Sequence, residues 1–109
     1  MTDFKTLIKK QHYINGNWIN GQHDGRLTVA NKYTKDELAT LTLASPAQVS
    51  QAIDAADRAQ VAFRKFSAQQ KASRLEQLAE KLREKREAFA QLICAEAGKP
   101  ITYAHTEVS

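Results

Sequence analysis

The sequence changes at residue 45 from a strand-like period of two to a helical period, and this change fixes the order of the elements. Before it, Ala39, Leu41 and Leu43 alternate with threonines, which is typical of a strand with one buried face. After it, Ser45-Pro46-Ala47-Gln48 places a capping serine, a first-turn proline and a glutamine three residues later. The pattern predicts an α/β chain in which strands come first and helices second.

The segment before this change contains a predicted hairpin. Asn15-Gly16 suits the two positive-φ positions of a type I′ turn, and β-prone residues flank it on both sides. A second Asn-Gly pair at 20–21 breaks the chain again. Residues 27–30 form a short strand candidate, residues 31–37 a polar turn, and residues 38–43 the next strand.

Two apolar stripes follow at helical spacing. The first starts after the Ser45 cap and is rich in alanine, and the second follows a repeat of the capping pattern at Ser67. The charged run 81–87 interrupts the second stripe, so the pattern leaves open one bent helix or two. Since a hairpin alone is marginal, the stripes predict packing against a larger body. Their members are Val49, Ala52, Ile53, Ala56 and Phe63, then Ala72, Leu75, Leu78, Ala79 and Leu82.

The last residues indicate a helix end followed by a new helix. Gly98 suits the left-handed conformation that closes a helix, and Pro100 does not extend the one before it. Ile101, Ala104 and Val108 then restart a helical spacing that has no terminator. We therefore expect the sequence to be a piece that ends inside an element of a longer protein.

Composition argues against several classes of protein, although a nucleic-acid-binding module stays a third alternative. The net charge of +4 is mild, and the basic residues Lys5, Lys9 and Lys10 have no interleaved aromatics, which argues against nucleic-acid binding. No apolar run approaches the roughly 20 residues of a membrane span. The single cysteine forms no internal disulfide, and the first ten residues do not resemble a secretory signal. These features predict a cytoplasmic protein.

No complete catalytic site is visible in the residues themselves. Cys94 lies on an apolar helical face and is expected to pack as a small hydrophobe. His12, His23 and His105 lie far apart without metal-ligand spacing, and we expect them at the surface. The four glycines are too scattered for a phosphate loop, and Lys99 is expected to be a solvated residue at a helix end.

The order of motifs resembles the aldehyde dehydrogenase superfamily across about residues 12–108. Lys32 stands where the family usually has a proline after asparagine. The segments that carry the resemblance are Tyr13-Ile14-Asn15-Gly16-Asn17-Trp18-Ile19, Val29-Ala30-Asn31, Ala44-Ser45-Pro46 with its alanine-rich helix, Arg74-Leu75 with Leu78 and Leu82, Glu96-Ala97-Gly98-Lys99-Pro100-Ile101, and Glu107-Val108.

The residues themselves predict a polar leader at 1–11, with one helical turn around Phe4, Leu7 and Ile8. The resemblance implies an incomplete cofactor-binding domain at 12–109. In the family, hairpin strands and alanine-rich helices form the outer part of this Rossmann-like domain. The family oxidises an aldehyde to a carboxylic acid with NAD or NADP. Its catalytic cysteine, its glutamate and its cofactor loops match no position here, so no catalytic or cofactor-binding residue is assigned.

The resemblance also implies a cation site and partners. Some family members bind a structural cation near this segment, and the matching positions are the Ala30 carbonyl and the Glu96 carboxylate. Hard cations need several oxygen ligands, so further ligands would come from outside the sequence. The expected partner is the rest of the dehydrogenase chain in a homo-oligomer, with no nucleic acid and no membrane. The fragment alone is expected to bind no cofactor and to be inactive.

A second reading treats the chain as a small self-contained α+β module that binds another protein without catalysis. Its alanine-rich helices would dock that partner. This reading predicts a cooperative melt for the isolated chain, whereas a fragment of a larger enzyme would be loosely packed, with exposed apolar helix faces. The aldehyde and the choice between NAD and NADP lie outside what the sequence determines.

Overall fold

Strands precede helices in the computed structural model of the protein, which describes residues 4–109. The predicted order of elements and the α/β class are confirmed. The elements are a short 3-10 helix (Phe4–Leu7), β1 (His12–Ile14), β2 (Asn17–Ile19), β3 (Arg26–Ala30), β4 (Glu37–Thr42), α1 (Pro46–Phe63), α2 (Ala68–Glu84), α3 (Arg86–Ala97) and α4 (Ile101–Val108). No helix within the described residues is long and apolar enough to cross a membrane.

The two strand pairs form separate antiparallel sheets of two strands each. β1 and β2 meet across Asn15 and Gly16, whose φ angles of 52° and 78° give the predicted positive-φ turn. β3 and β4 pair with an irregularity between Val29 and Ala30. A two-stranded ribbon has little stability of its own, so both pairs depend on what packs against them.

The helix α1 begins at a complete capping box. Ser45 Oγ accepts from the Gln48 amide, and Gln48 Oε1 accepts in return from the Ser45 amide, at 3.1 and 3.0 Å. The Gln48 side chain also accepts from the Gln22 amide at 2.9 Å and donates to the Asn20 carbonyl at 2.8 Å. Gln48 is 2% exposed, so one buried amide both caps α1 and holds the loop between β2 and β3.

A close backbone contact fixes the same loop. A Cβ atom on residue 21 would lie closer to the carbonyl oxygens of Thr42 and Leu43 than van der Waals contact allows, so Gly21 has no room for a side chain. The amide of His23 donates to the Leu43 carbonyl at 3.0 Å, and His12 Nε2 donates to the Thr42 carbonyl at 2.9 Å. The loop therefore runs directly along the end of β4, where there is no room for a side chain on residue 21.

The open question of one helix or two is settled by a break at Lys85. Its φ of −109° and ψ of 18° leave the helical region, so α2 ends before it and α3 begins after it. Gly98 then ends α3 in the left-handed conformation, with φ 75°, as predicted. The predicted cap of α2 is also present, with Ser67 and Gln70 in a second capping box.

The described residues bury almost no large side chain. The buried apolar residues are six alanines, at positions 39, 55, 88, 90, 95 and 104, and Gln48 is the largest fully buried side chain. The radius of gyration is 16.8 Å, against about 13 Å for a compact domain of this length. The chain is thus too open, and its buried volume too small, to be a complete hydrophobic domain.

The predicted helical turn near Phe4, Leu7 and Ile8 corresponds to the 3-10 helix Phe4–Leu7, which packs against α3. Residues 1–3 of the predicted polar leader lie outside the described residues. Leu7 and Ile8 line a cavity between β3, β4 and α3. The division into a leader at 1–11 and a domain at 12–109 stays a prediction.

Replacing Gln48 by Ala should destabilise the chain by about 2 kcal/mol or more, because it removes a cap and leaves buried amides and a carbonyl without partners. Gln70→Ala is the matched control, since Gln70 makes the same capping box at an exposed position. It should cost about 1 kcal/mol or less. Amide hydrogen exchange in the first turns of α1 and α2 measures both losses as free energies of local opening, without a cooperative melt of the whole chain. Equal losses would mean that the buried contacts of Gln48 add nothing to its cap.

Candidate functional site

The end of α3 is joined to the turn after β3 by a set of backbone contacts. The Lys32 amide donates to the Ala95 carbonyl at 2.9 Å, and Tyr33 Oη donates to the Gly98 carbonyl at 3.0 Å. Asn31 Oδ1 accepts from the amides of Tyr33 and Thr34, which holds the turn in an Asx conformation. These bonds bring the carboxyl ends of β3 and α3 to the same corner of the molecule.

The two predicted cation-binding positions lie on these two elements. Ala30 is half-buried at the last position of β3, and Glu96 is exposed in the last turn of α3. Glu96 lines a cavity of about 180 Å³ that is otherwise mainly apolar, with Lys9 also in its wall. Within residues 4–109 no three His, Cys, Asp or Glu side chains are grouped to hold a metal ion. The cation site therefore stays a prediction that needs oxygen ligands from elsewhere.

Cys94 lies on α3 and is half-buried. It lines an open groove with Phe4, Tyr33 and Ile101, so its surroundings are largely apolar. The Cys94 carbonyl accepts from the Gly98 amide at 3.0 Å, which places the thiol one turn from the helix end. The partial negative charge of a helix carboxyl end does not favour a thiolate, and the position fits the predicted packing role.

The three histidines have three different surroundings, although surface positions are predicted for all of them. His23 is exposed, and its Nδ1 accepts from the Gly25 amide at 2.8 Å. His12 is half-buried and bonded to the end of β4, so the expected surface role does not describe it. The sequence shows no signal for this contact, because its partner Thr42 lies 30 residues further along the chain. His105 belongs to a polar contact between α3 and α4.

That contact joins the two last helices through charged side chains. His105 Nε2 lies 2.7 Å from Glu87 Oε2, and Gln91 Nε2 donates to Glu87 Oε1 at 2.9 Å. Lys99 Nζ pairs with Glu107 Oε2 at 2.5 Å, and the Lys99 side chain is 41% exposed, so it lies at the surface between α3 and α4 as predicted and also forms an ion pair with the last turn of α4. These pairs are exposed and fix the helix geometry with little net energy.

The pKa of the Glu87 carboxyl is lowered from its ordinary value of 4.5. The hydrogen bond from Gln91 is the main cause, and the bond to His105 is the second. Both bonds favour the charged carboxylate, and the bond to His105 joins α3 to α4. None of these groups forms a nucleophile and base pair with Cys94, and the arrangement is structural.

The sequence model described as the aldehyde dehydrogenase family matches residues 18–109. The chain therefore belongs to this family, as the order of its motifs predicted. It is 31% identical over 103 residues to the glutarate-semialdehyde dehydrogenase of Pseudomonas putida, covering 94% of this chain and 22% of the relative. It is also 31% identical over 103 residues to the NADP(+) succinate-semialdehyde dehydrogenase of Escherichia coli. That match covers 94% of this chain and 21% of the relative.

A solved structure shows the same arrangement of elements. The NAD-dependent benzaldehyde dehydrogenase of Corynebacterium glutamicum superposes with a TM-score of 0.87 and 30% identity, covering 91% of this chain and 22% of that chain. The present chain thus spans about a fifth of the length of its relatives. The match confirms the predicted reading as a portion of an aldehyde dehydrogenase with an incomplete domain.

Replacing Gln91 by Ala should raise the pKa of Glu87 towards 4.5, because it removes the main bond to the carboxylate. A lowered pKa means that the Glu87 contribution to stability is complete above pH 4.5 and is lost as the pH falls through the lowered value. Carboxyl carbon shifts followed by NMR during an acid titration measure this pKa. Gln77→Ala, which removes a glutamine on α2 that bonds Ser73, should leave it unchanged; an unchanged pKa in both variants would contradict the assignment.

Proposed function

We propose that the full-length protein oxidises an aldehyde to a carboxylic acid with NAD or NADP, and that this chain is a non-catalytic part of its cofactor-binding domain. The family match over residues 18–109 is the observation that carries the proposal. The names of the relatives include both an NAD-dependent and an NADP-dependent enzyme, so the choice of cofactor stays open.

The chemistry of such an oxidation supports a division of labour between this chain and the rest of the protein. A thiolate, a base and donors for the developing oxyanion must meet around one carbon atom. Cys94 lines an open groove, and no His, Asp or Glu is among the described residues that line it with Cys94. Two of the glycines are used in turns at positive φ and a third in a close backbone contact, rather than in a phosphate loop. Catalysis is therefore assigned to residues outside this sequence.

The substrate is proposed only as an aldehyde. The relatives are named for semialdehydes that carry a carboxylate, and the structural neighbour is named for an uncharged aromatic aldehyde. They share this segment of fold while their named substrates differ in charge and shape. The segment is therefore a common scaffold, and recognition of the aldehyde belongs to other parts of the protein.

The proposed partners are the remaining part of the dehydrogenase chain and further copies of the full-length protein. A location in the cytoplasm is proposed from the single cysteine, which fits a reducing compartment. The cation at Ala30 and Glu96 belongs to the same proposal, with its other ligands supplied by the remaining chain or by water.

The 109-residue chain should form no NADH or NADPH from any aldehyde when followed at the absorbance of the reduced nicotinamide. A chimera in which this chain replaces the matching 103-residue segment of the Pseudomonas putida enzyme should do so with glutarate semialdehyde. This contrast separates a scaffold from a catalyst, since the chimera holds a complete catalytic site.

Two results would contradict the proposal. The first is turnover by the isolated chain that Cys94→Ala abolishes, which would place the nucleophile in this sequence. The second is an inactive chimera together with a cooperative melt of the isolated chain, which would favour a self-contained interaction module. Cys94→Ala in the chimera is the matched control, and it should retain activity.

A further inference from the structure

Two asparagines near the start of the chain are each followed by glycine, but their surroundings differ. Asn15-Gly16 forms the turn of the hairpin, and Asn20-Gly21 lies in the loop between β2 and β3. The side-chain carbonyl carbon of an asparagine is open to attack by the backbone nitrogen of the next residue. Glycine permits this attack most readily, because it has no Cβ to shield its nitrogen or to restrict the backbone.

The attack requires rotation about the bond that joins the asparagine Cα to its backbone carbonyl carbon. Because the peptide unit is planar, this rotation moves the backbone carbonyl oxygen and the nitrogen of the next residue together. A hydrogen bond that holds the carbonyl oxygen therefore also holds the nucleophile in place. The bonds of the two carbonyls decide which of the two asparagines reacts.

The Asn20 carbonyl is held by a buried group. It accepts from Gln48 Nε2 at 2.8 Å, and the Gln48 side chain is fully buried. Gly21 is confined on its other side, since it lies directly against the carbonyl oxygens at the end of β4. The Asn20 side chain is engaged as well, because its Oδ1 accepts from Gln11 Nε2 at 3.0 Å. Both the nucleophile and the group that it would attack are thus fixed at Asn20.

The Asn15 carbonyl has weaker support. It accepts from Asn17 Nδ2 at 3.3 Å, which is a long hydrogen bond between exposed groups. A Cβ atom on residue 16 would meet nothing in the described chain within 4 Å, apart from its neighbours in sequence. The strands on either side of the turn have three residues each. A hairpin this short opens at a low cost in free energy, and opening frees the Asn15 backbone to rotate.

We propose that Asn15 is a site of spontaneous deamidation and that Asn20 is protected from the same reaction. The Gly16 nitrogen loses its proton and forms a bond to the side-chain carbonyl carbon of Asn15. The side-chain nitrogen leaves with that proton as ammonia, which gives a cyclic imide. Water then adds to either imide carbonyl and opens the ring. One opening leaves aspartate, and the other leaves isoaspartate, in which the main chain runs through the former side chain.

Both products change the hairpin and its contact with α1. Isoaspartate adds a methylene group to the main chain of the turn that sets the register of β1 and β2, in which Tyr13 faces Trp18. Both products also add a carboxylate to the groove that Asn15 lines together with Asp54 and Arg58 of α1. Deamidation at this turn is therefore expected to loosen the hairpin from α1.

The test follows both asparagines in the native gene product that contains this sequence. The protein is incubated at mildly alkaline pH, folded in buffer and unfolded in denaturant, and mass spectrometry of its peptides measures deamidation at each position. In denaturant the two asparagines should react at similar rates, since both precede glycine. In the folded protein Asn20 should react at least about tenfold more slowly than Asn15, because its reaction requires a costlier local opening.

Asn17 is the matched control within the same hairpin. It is exposed like Asn15, but Trp18 follows it, and the large side chain shields the nitrogen that would attack. Asn17 should remain unreacted over the time in which Asn15 reacts. Equal rates at Asn15 and Asn17 would overturn the proposal, because exposure alone would then control the reaction.

Two variants test the protection of Asn20. Gln48→Ala removes the bond to the Asn20 carbonyl and should raise the rate at Asn20 towards that at Asn15. Gln11→Ala removes an exposed side-chain bond, so it keeps the test valid if Gln48→Ala does not fold, and it should raise the same rate by a smaller factor. A rate at Asn20 that neither variant changes would contradict the proposed protection. A folded protein in which Asn15 reacts as slowly as Asn20 would overturn the proposed site, because the turn would then be held as firmly as the loop.

Discussion

The buried amide of Gln48 joins the first turn of α1 to the loop between β2 and β3, which backbone contacts also hold against the end of β4. Its oxygen accepts from the amides of Ser45 and Gln22, and its nitrogen donates to the Asn20 carbonyl. These bonds join the first turn of α1 to the loop that carries the chain from one ribbon to the next. Because the described residues form two separate two-stranded sheets, a single polar side chain provides much of the order that a continuous sheet would otherwise supply.

The apolar residues, in contrast to Gln48, give the structure little buried support. What is buried is alanine, which allows close approach of backbones but contributes little transfer free energy. The large aliphatic residues lie outside, on α1 and α2, where nothing in the described chain covers them. A chain with a polar network at its centre and leucines on its surface is organised as the outer layer of a larger protein. The family match indicates that this protein is about five times as long as the chain.

Local features of the fold were predictable from the sequence, and contacts between distant segments were not. The turn at Asn15 and Gly16 and the cap at Ser45 follow from residues three or fewer apart, so their patterns were sufficient. The second role of Gln48 depends on the Asn20 carbonyl 28 residues away, and nothing in the sequence marks it. The break at Lys85 carries no glycine or proline, so the pattern left one helix or two equally open.

The candidate cation site also has a part that the sequence predicts and a part that it does not. The motifs around Ala30 and Glu96 resemble a family segment, and the structure brings the ends of β3 and α3 to one corner through the bond between Lys32 and Ala95. The cation site stays a prediction, since the described residues contain no group of three His, Cys, Asp or Glu side chains that could hold the ion. No catalytic residue could be predicted from this sequence, because a catalytic site is assembled from segments that lie far apart in the chain and leaves no local pattern.

The central claim is that this sequence is one part of a larger aldehyde dehydrogenase, and the mass of the native gene product tests it most directly. Mass spectrometry of the protein in cell extract, identified by peptides from α2 and α3, measures that mass. The account predicts a chain several times heavier than the 12.2 kDa of this sequence. A native product of 12.2 kDa that melts cooperatively would contradict it, because such a chain would be stable without the body that its leucines require.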